Sequence, residues 1–415
     1  MFEEISRKPH VRRRLEANLL AELIVEYVEH LIGRGHTENV IRAYVSAVEH
    51  FGFWLRRTGQ APSAIDATTV TAFMTRHLPW CRCPGRRPRQ LIVVRAALHQ
   101  LLRISPCPSA AIMAATPVDA AVAEFDLHLL QTCGLAPATR HYFTRYVREL
   151  LRERFDRGPV LLESLTLDDI TSFVTARAVH LVPGSTLTVI VAIRSFLRYL
   201  QLRGLATAHW ADGLPRVACW RLAEIPDVLN DRQIHDLLDA FDRATGRGRR
   251  DYAIAVCFTH LALRAGEVAR ISLDDIEWRS RVLTVAAGKG RCADRLPLPT
   301  HVLAALADYV RHGRPTTNAR AVFVHHRAPV GTPLGVSGVR SAMRQAYARA
   351  GFDPRVTGTH VLRHTAATHL LRAGASMKQV ADVLRHRSLD TSAIYAKVDH
   401  PALSSVVLPW PEVRP

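Results

Sequence analysis

The chain has 415 residues, of which 48% are hydrophobic, enough for two or three ordinary globular cores. No apolar run approaches the ~18–20 residues that a membrane span needs, and the first twenty residues contain no signal-peptide core, so the composition predicts a cytoplasmic protein. A formal net charge of +18, in which arginine heavily outnumbers lysine, predicts a polyanionic partner, because a basic surface gains affinity by releasing that partner's counterions.

From the N-terminus, a basic arm over residues 1–20 precedes apolar residues at helical spacing: Leu23, Ile24, Tyr27, Val28 and Leu31, stopped by Gly33 and Gly35. Thr37 is a candidate N-cap for a second helix carrying Val40, Ile41, Tyr44, Val45, Val48, Phe51 and Trp54. A short helix over about 67–77 and another over about 91–104 flank a Pro/Cys/Arg-rich loop, Pro79 to Gln90. That loop carries Arg82, Arg86, Arg87 and Arg89, which we assign to DNA contact. Seven scattered cysteines fit a reducing compartment better than a disulfide framework. Cys81-x-Cys83 has no matching second pair, so it is assigned no metal.

The pattern then recurs about one hundred residues later. A helix over 125–132 and the segment 136–155 follow, with Arg140 and Tyr142 echoing Arg42 and Tyr44. Residues 165–174 echo 65–74, and 193–204 echo 94–104, which places Arg194 with Arg140 among the expected DNA contacts. The expected divisions are an N-terminal helical domain (1–115), a second helical domain (116–210), a linker (211–228) and a C-terminal domain (229–415). A Pro/Ser/Ala-rich divider over 106–120 separates the two helical copies.

The C-terminal domain starts at an N-cap, Asn230 or Asp231, and continues into an apolar helix interrupted by Arg264. An arginine buried there needs an anionic partner such as phosphate. Glu267 sits three residues on, where it can orient Arg264 or His386. Val282, Thr284 and Ala286 alternate as a strand, Gly288-Lys289-Gly290 reads as a turn, and Arg295 to Leu298 as a returning strand. Lys289 and Arg291 therefore lie at a hairpin tip sized to enter a DNA groove. The fold class is mainly α with a small β-hairpin.

Residues 360–395 carry the densest chemistry. A helix over about 360–372, preceded by Thr359 as N-cap and ended by Gly374, places His360 and Arg363 on one face, with Leu362, Ala366, Leu370 and Leu371 inward. A second helix over 376–384 leads to His386, and a third carries Tyr395 nine positions later. A phenol with a pKa near ~10 is a poor nucleophile unless cations stabilise both it and its target. A phosphodiester suits this set, since guanidiniums match the non-bridging oxygens and imidazoles move protons. A helix bearing His360, His364 and His369 also permits a metal-dependent hydrolase, and a catalytically silent DNA-binding protein is a third class; no acidic ligand cluster accompanies the histidines.

The motifs His360-Val-Leu-Arg363, Leu384-Arg385-His386 and Tyr395, preceded by Leu263-Arg264 with Glu267 and by the Lys289 turn, resemble those of the tyrosine recombinase (phage integrase) family. Arg385 stands where that family commonly has Gly. The resemblance covers residues 118–400 and implies one or two helical core-binding domains followed by a tyrosine recombinase catalytic domain. It implies catalytic roles for Arg264, Lys289, His360, Arg363, His386 and Tyr395, with Glu267 behind them and no metal or other cofactor. It further implies double-stranded recombination sites as partners and a homotetramer on synapsed DNA; the extra N-terminal copy points to an integrase or transposase of a bacterial mobile element, with integration, transposition, resolution and inversion left open.

Overall fold

Apolar residues recur at helical spacing through most of the chain, and the described residues are correspondingly mainly α, with one small antiparallel sheet among them. This computed structural model describes residues 9–83, 90–105, 116–156, 158–206, 209–218, 226–285, 293–353, 358–385, 388 and 391–398. Contacts group the chain into two units, one combining 1–105 with 222–415 and the other spanning 106–221. Among the described residues, no helix is long and apolar enough to cross a membrane.

The first helical bundle comprises α1 (Pro9–Glu16), α2 (Ala21–Gly33), α3 (Glu38–Arg57), α4 (Ala67–Ala72) and α5 (Leu91–Leu101). Its core is built from the periodic positions expected of α2 and α3, including Ile24, Tyr27, Val45, Val48 and Phe51, closed by Val94 and Leu98 of α5. The buried Tyr27 hydroxyl donates to the Ala97 carbonyl at 2.8 Å, so this aromatic locks α2 to α5 as well as filling space. Beyond α4 the chain passes through a π-helical turn (Phe73–His77) and a 3₁₀ turn (Leu78–Trp80). In the same unit, the Val330 N–H donates to the Arg34 carbonyl at 3.2 Å.

The second unit contains α6 (Pro117–Gln131), α7 (Pro137–Phe155), α8 (Leu167–Ala178), α9 (Pro183–Leu202) and the short α10 (His209–Asp212). Two of these helices begin well before the periodicity indicated. Helix α6 starts inside the segment read as a divider, because Thr116 caps it and Pro117 occupies the first turn, where its missing N–H costs nothing. Helix α9 likewise starts at Pro183. Thr166 and Asp169 form a reciprocal capping box on α8.

The C-terminal part contains α11 (Asp231–Asp239), α12 (Gly246–Leu261), α13 (Ala265–Val268), α14 (Thr300–Asp308), α15 (Val336–Arg349), α16 (Thr359–Arg372) and α17 (Met377–Val383). Asn230 is the N-cap of α11, in a capping box with Gln233. Strands β1 (Ile276–Glu277), β2 (Val282–Val285) and β3 (Asp294–Pro297) form a sheet in that order, with Leu283 opposite Leu296 and Thr284 opposite Arg295. The hairpin expected from the alternation is present, while its tip, with Lys289 and Arg291, lies outside the described residues. Helix α12 is buried continuously from Ala253 to Phe258 and packs against α14, α15 and α16. Each fully buried aliphatic or aromatic side chain there contributes roughly 1.5–3 kcal/mol.

Gly374 ends α16 at φ 89°, a left-handed conformation in which a Cβ would be strained, and reverses the chain toward α17. Inside α16, the buried Thr365 hydroxyl accepts from the Leu229 N–H at 2.9 Å, which fixes the entry into this part of the chain. Thr365→Val preserves shape but leaves that N–H without its acceptor. The expected loss is about 1–3 kcal/mol, read as a lower urea midpoint.

Candidate active site

The site is assembled at the ends of short helices. Arg264 is the N-cap residue of α13, two residues after the left-handed Ala262 (φ 49°) that terminates α12. Arg363 projects from the middle of α16. Arg385 follows the C-cap Leu384 of α17, and Tyr395 lies in the 3₁₀ helix Ala393–Val398. Helix α16 is buried on nearly every side, which is why its polar members can reach inward.

The two arginines occupy opposite environments, and for Arg264 it is not the expected one. Arg264, expected to be buried, is exposed, its side chain 43% accessible, because the chain turns outward at Ala262. Arg363 is the buried one, at 4%. Its two terminal nitrogens donate to the carbonyls of Ala262 and Leu384, the C-cap residues of α12 and α17. Those carbonyls are orphaned by helix termination and sit at the negative ends of two helix dipoles. Burial, then the neighbouring guanidiniums of Arg264 and Arg385, push Arg363 down to about 10, which leaves it charged at neutral pH.

Glu267 is the carboxylate that organises this positive cluster. It accepts from the Arg264 backbone N–H at 2.7 Å and from the Arg264 guanidinium at 3.0 Å. Its other partner is Arg385 Nη2 at 2.7 Å, and both side chains of that pair are about nine-tenths buried. Burial works to raise the Glu267 carboxyl, but the Arg264 N–H and the Arg385 and Arg264 guanidiniums outweigh it, and the group lies below the usual carboxylate range. Glu267 thus orients Arg264, as expected, together with Arg385; the other partner expected for it, His386, lies outside the described residues. Arg385 has φ 54°, the left-handed conformation that glycine adopts freely, which gives a physical reason for glycine being common at this position in the family motif.

Tyr395 is 2% exposed and packs among Ala262, Ala366, Ala367, Leu371, Val380 and Leu384. Its hydroxyl meets His364 Nδ1 at 3.0 Å. The histidine touching the phenol is therefore His364, the residue after Arg363, and not His360, to which proton transfer was assigned. His360 is exposed on the preceding turn, its ring centroid 6.4 Å from that of His364. Burial raises the phenol pKa above 10.0, although Arg363 and Arg264 pull it down. Desolvation, then His360 and Arg363, hold His364 below 6.5 against the opposing pull of Asp227. At neutral pH the pair is a phenol beside a neutral imidazole, and in the Nε2–H tautomer Nδ1 accepts the phenol proton. His360 is also lowered, by desolvation and then by Arg340, Arg363 and Arg264. His364 was weighed only as a metal ligand in the sequence; its position next to Arg363 was the available signal.

The expected nucleic-acid contacts fare differently. Arg82 is exposed. Arg140 is engaged by Asp126 at 3.0 Å. Arg194 donates to the Ala211 carbonyl at 3.1 Å and lines an open cavity of about 440 Å³ with Arg198 and Arg216. Lys289, Arg291, His386, Arg86, Arg87 and Arg89 lie outside the described residues.

Residues 227–401 match the model of the phage integrase family. A putative integrase/recombinase, y4rA, of Sinorhizobium fredii (strain NBRC 101917 / NGR234) is 34% identical over 396 residues, covering 94% of this chain and 95% of that protein. Tyrosine recombinase XerC of Mycobacterium leprae (strain TN) is 30% identical over 284 residues, 66% of this chain and 93% of that protein. Among solved structures, XerH site-specific recombinase bound to a palindromic difH substrate aligns over 81% of this chain and 93% of its own, with a TM-score of 0.54 at 15% identity. The Tn1549 transposon integrase in complex with a circular intermediate DNA aligns over 69% and 99%, with a TM-score of 0.53 at 16% identity.

Glu267→Gln removes the charge that holds Arg264 and Arg385. Breaking this largely buried pair is expected to cost about 3–5 kcal/mol. Because the folded carboxyl titrates below its unfolded value, its contribution is present above the unfolded pKa and is lost as pH falls through the folded one. Urea unfolding at pH 7 and at progressively lower pH is expected to show the difference between wild type and variant shrinking with acidification.

Proposed function

The chain belongs to the phage integrase family of tyrosine recombinases, and from that membership we infer how its site breaks and rejoins DNA. The protein is a site-specific DNA recombinase; its relatives do not favour a metal-dependent hydrolase or a silent binder. The observation that carries the mechanism is the 3.0 Å contact between His364 Nδ1 and the buried Tyr395 hydroxyl, beside two guanidiniums.

Tyr395 attacks the scissile phosphorus and His364 takes the phenol proton. A 3′-phosphotyrosyl bond forms as the 5′-oxygen leaves, and Lys289 protonates that leaving group. Exposed Arg264 and buried Arg363 stabilise charge gathering on the non-bridging oxygens, aided by His386. His360 adds a donor at the same surface. The phosphodiester energy is kept in the covalent bond, so the 5′-hydroxyl of a partner strand reverses the step without ATP. Glu267 positions Arg264.

Double-stranded recombination sites are the partners, bound by a homotetramer on synapsed DNA, in the cytoplasm of a bacterial cell. Residues 116–210 act as the core-binding domain and 229–415 as the catalytic domain, joined by the 211–228 linker, while 1–115 is an additional DNA- or partner-binding module. Arg82, Arg86, Arg87, Arg89 and Arg291 contact the backbone; Arg140 and Arg194 do so by exchanging an internal partner for phosphate. The extra module supports a role in integration or transposition by a mobile element.

A covalent-trapping assay tests this. Wild type incubated with nicked suicide substrates from the flanks of its own gene is expected to give an SDS-resistant protein–DNA adduct, absent with Tyr395→Phe. Cleavage that survives Tyr395→Phe would overturn the mechanism. Arg264→Ala is expected to slow adduct formation about 10²–10³-fold. A neutral His364 is the competent base, so the rate is expected to rise with pH through the His364 pKa, below 6.5, and this acid limb disappears in His364→Gln.

A further inference from the structure

The first helical bundle brings together four side chains that the recombination chemistry does not use. His50 comes from α3, His77 ends the π-helical turn after α4, and Cys81 and Cys83 lie just beyond the 3₁₀ turn Leu78–Trp80. One ring nitrogen of each histidine and the Sγ of each cysteine all lie within 4.8 Å of one another. The two Nε2 atoms are 3.3 Å apart, Cys81 Sγ is 3.2 Å from His50 Nε2, and Cys83 Sγ is 3.7 Å from His77 Nε2.

These separations lie close to the edges of a metal tetrahedron. With Zn–N of ~2.0–2.1 Å and Zn–S of ~2.3 Å, the edges run from ~3.3 to ~3.8 Å. The surroundings fit as well. His50, Cys81 and Cys83 are 0%, 7% and 3% exposed, and His77 is partly buried. The Cys83 backbone N–H donates to Cys81 Sγ at 3.3 Å, a hydrogen bond that orients this ligand atom. Phe73 packs edge-on against His50 at 5.2 Å, and Trp54 lies 6.1 Å from His77, so an aromatic wall keeps the ring planes directed at a common point.

We propose that His50, His77, Cys81 and Cys83 bind one structural zinc ion. Two thiolates and two imidazoles neutralise the ion and select it over oxygen-seeking calcium or magnesium. Four protein ligands leave no open position, which makes the site structural rather than catalytic. The ion staples the segment after α4 to α3. Cys83 immediately precedes the basic stretch with Arg86, Arg87 and Arg89, and Arg82 lies exposed between the two cysteine ligands, so the metal anchors a DNA-contacting loop at its root. The isolated Cys-x-Cys was left without a metal in the sequence because its partners are histidines 4 and 31 residues upstream of Cys81 (81 − 77 and 81 − 50).

The test is metal content and cobalt spectroscopy on the full-length chain, purified without chelator from zinc-supplemented culture. Elemental analysis is expected to give about one zinc per chain. Replacing it with Co²⁺ is expected to give the visible d–d bands and thiolate charge-transfer absorption of a tetrahedral S₂N₂ site. Cys81→Ser and His77→Ala are expected to lose the stoichiometric metal, whereas Cys133→Ser, at an exposed cysteine outside the cluster, keeps it. Folded wild type, checked by circular dichroism, that holds no zinc and gives no cobalt spectrum would overturn the proposal without any variant. Zinc retained in folded Cys81→Ser/Cys83→Ser would also overturn it. The readout is independent of recombination.

Discussion

The C-terminal part of the structure depends on one buried guanidinium. Arg363 is placed where α12 and α17 both terminate, and it donates to the last carbonyl of each. A lone buried charge is costly, but a cation between two helix C-termini meets orphaned acceptors and two favourable dipole ends at once. The same contacts bring together the chain before Arg264 and the chain before Arg385, so the interaction that makes the burial tolerable also assembles the site. A lysine at this position would supply the charge without the planar fork that spans two acceptors.

Around that anchor, charges are graded by exposure. Arg363 is fully inside, Arg385 is held inside by Glu267, and Arg264 shares the same carboxylate while reaching solvent. Three cations against one carboxylate leave an excess of positive charge, and two of them, Arg363 and Arg264, act on the phenol, a field suited to an incoming phosphodiester. Arg385 shows how this family motif tolerates a departure from glycine: the left-handed backbone is retained at a conformational cost, and the added side chain is offset by a short pair with Glu267.

The two helical bundles are fastened differently. In the second unit, helices are secured by capping threonines, a proline in the first turn and ion pairs such as Arg148 with Asp119. The first bundle instead collects imidazoles and thiols at the end of α4, where a π-helical turn carries His77 toward α3. Tightly gathered ligand atoms in an otherwise apolar bundle are what a small domain uses when its core needs reinforcement.

Most of the candidate set was legible because its members follow one another in the order of the family's motifs, on short helices. His360-x-x-Arg363, Tyr395 and Arg264 with Glu267 are readable through that resemblance, and hydrophobic periodicity placed the helices that carry them. Spacing also predicted the hairpin, since alternation needs only neighbouring residues. The sequence by itself therefore determined the family and the mainly helical architecture, and it singled out Tyr395 as the candidate nucleophile. Tertiary structure decided which arginine is buried, that His364 rather than His360 meets the phenol, and that His50 reaches Cys81. Each of these depends on the direction in which one helix faces another. On a helix such as α16, buried on nearly every side, periodicity carries no direction, because no polar face marks the outside.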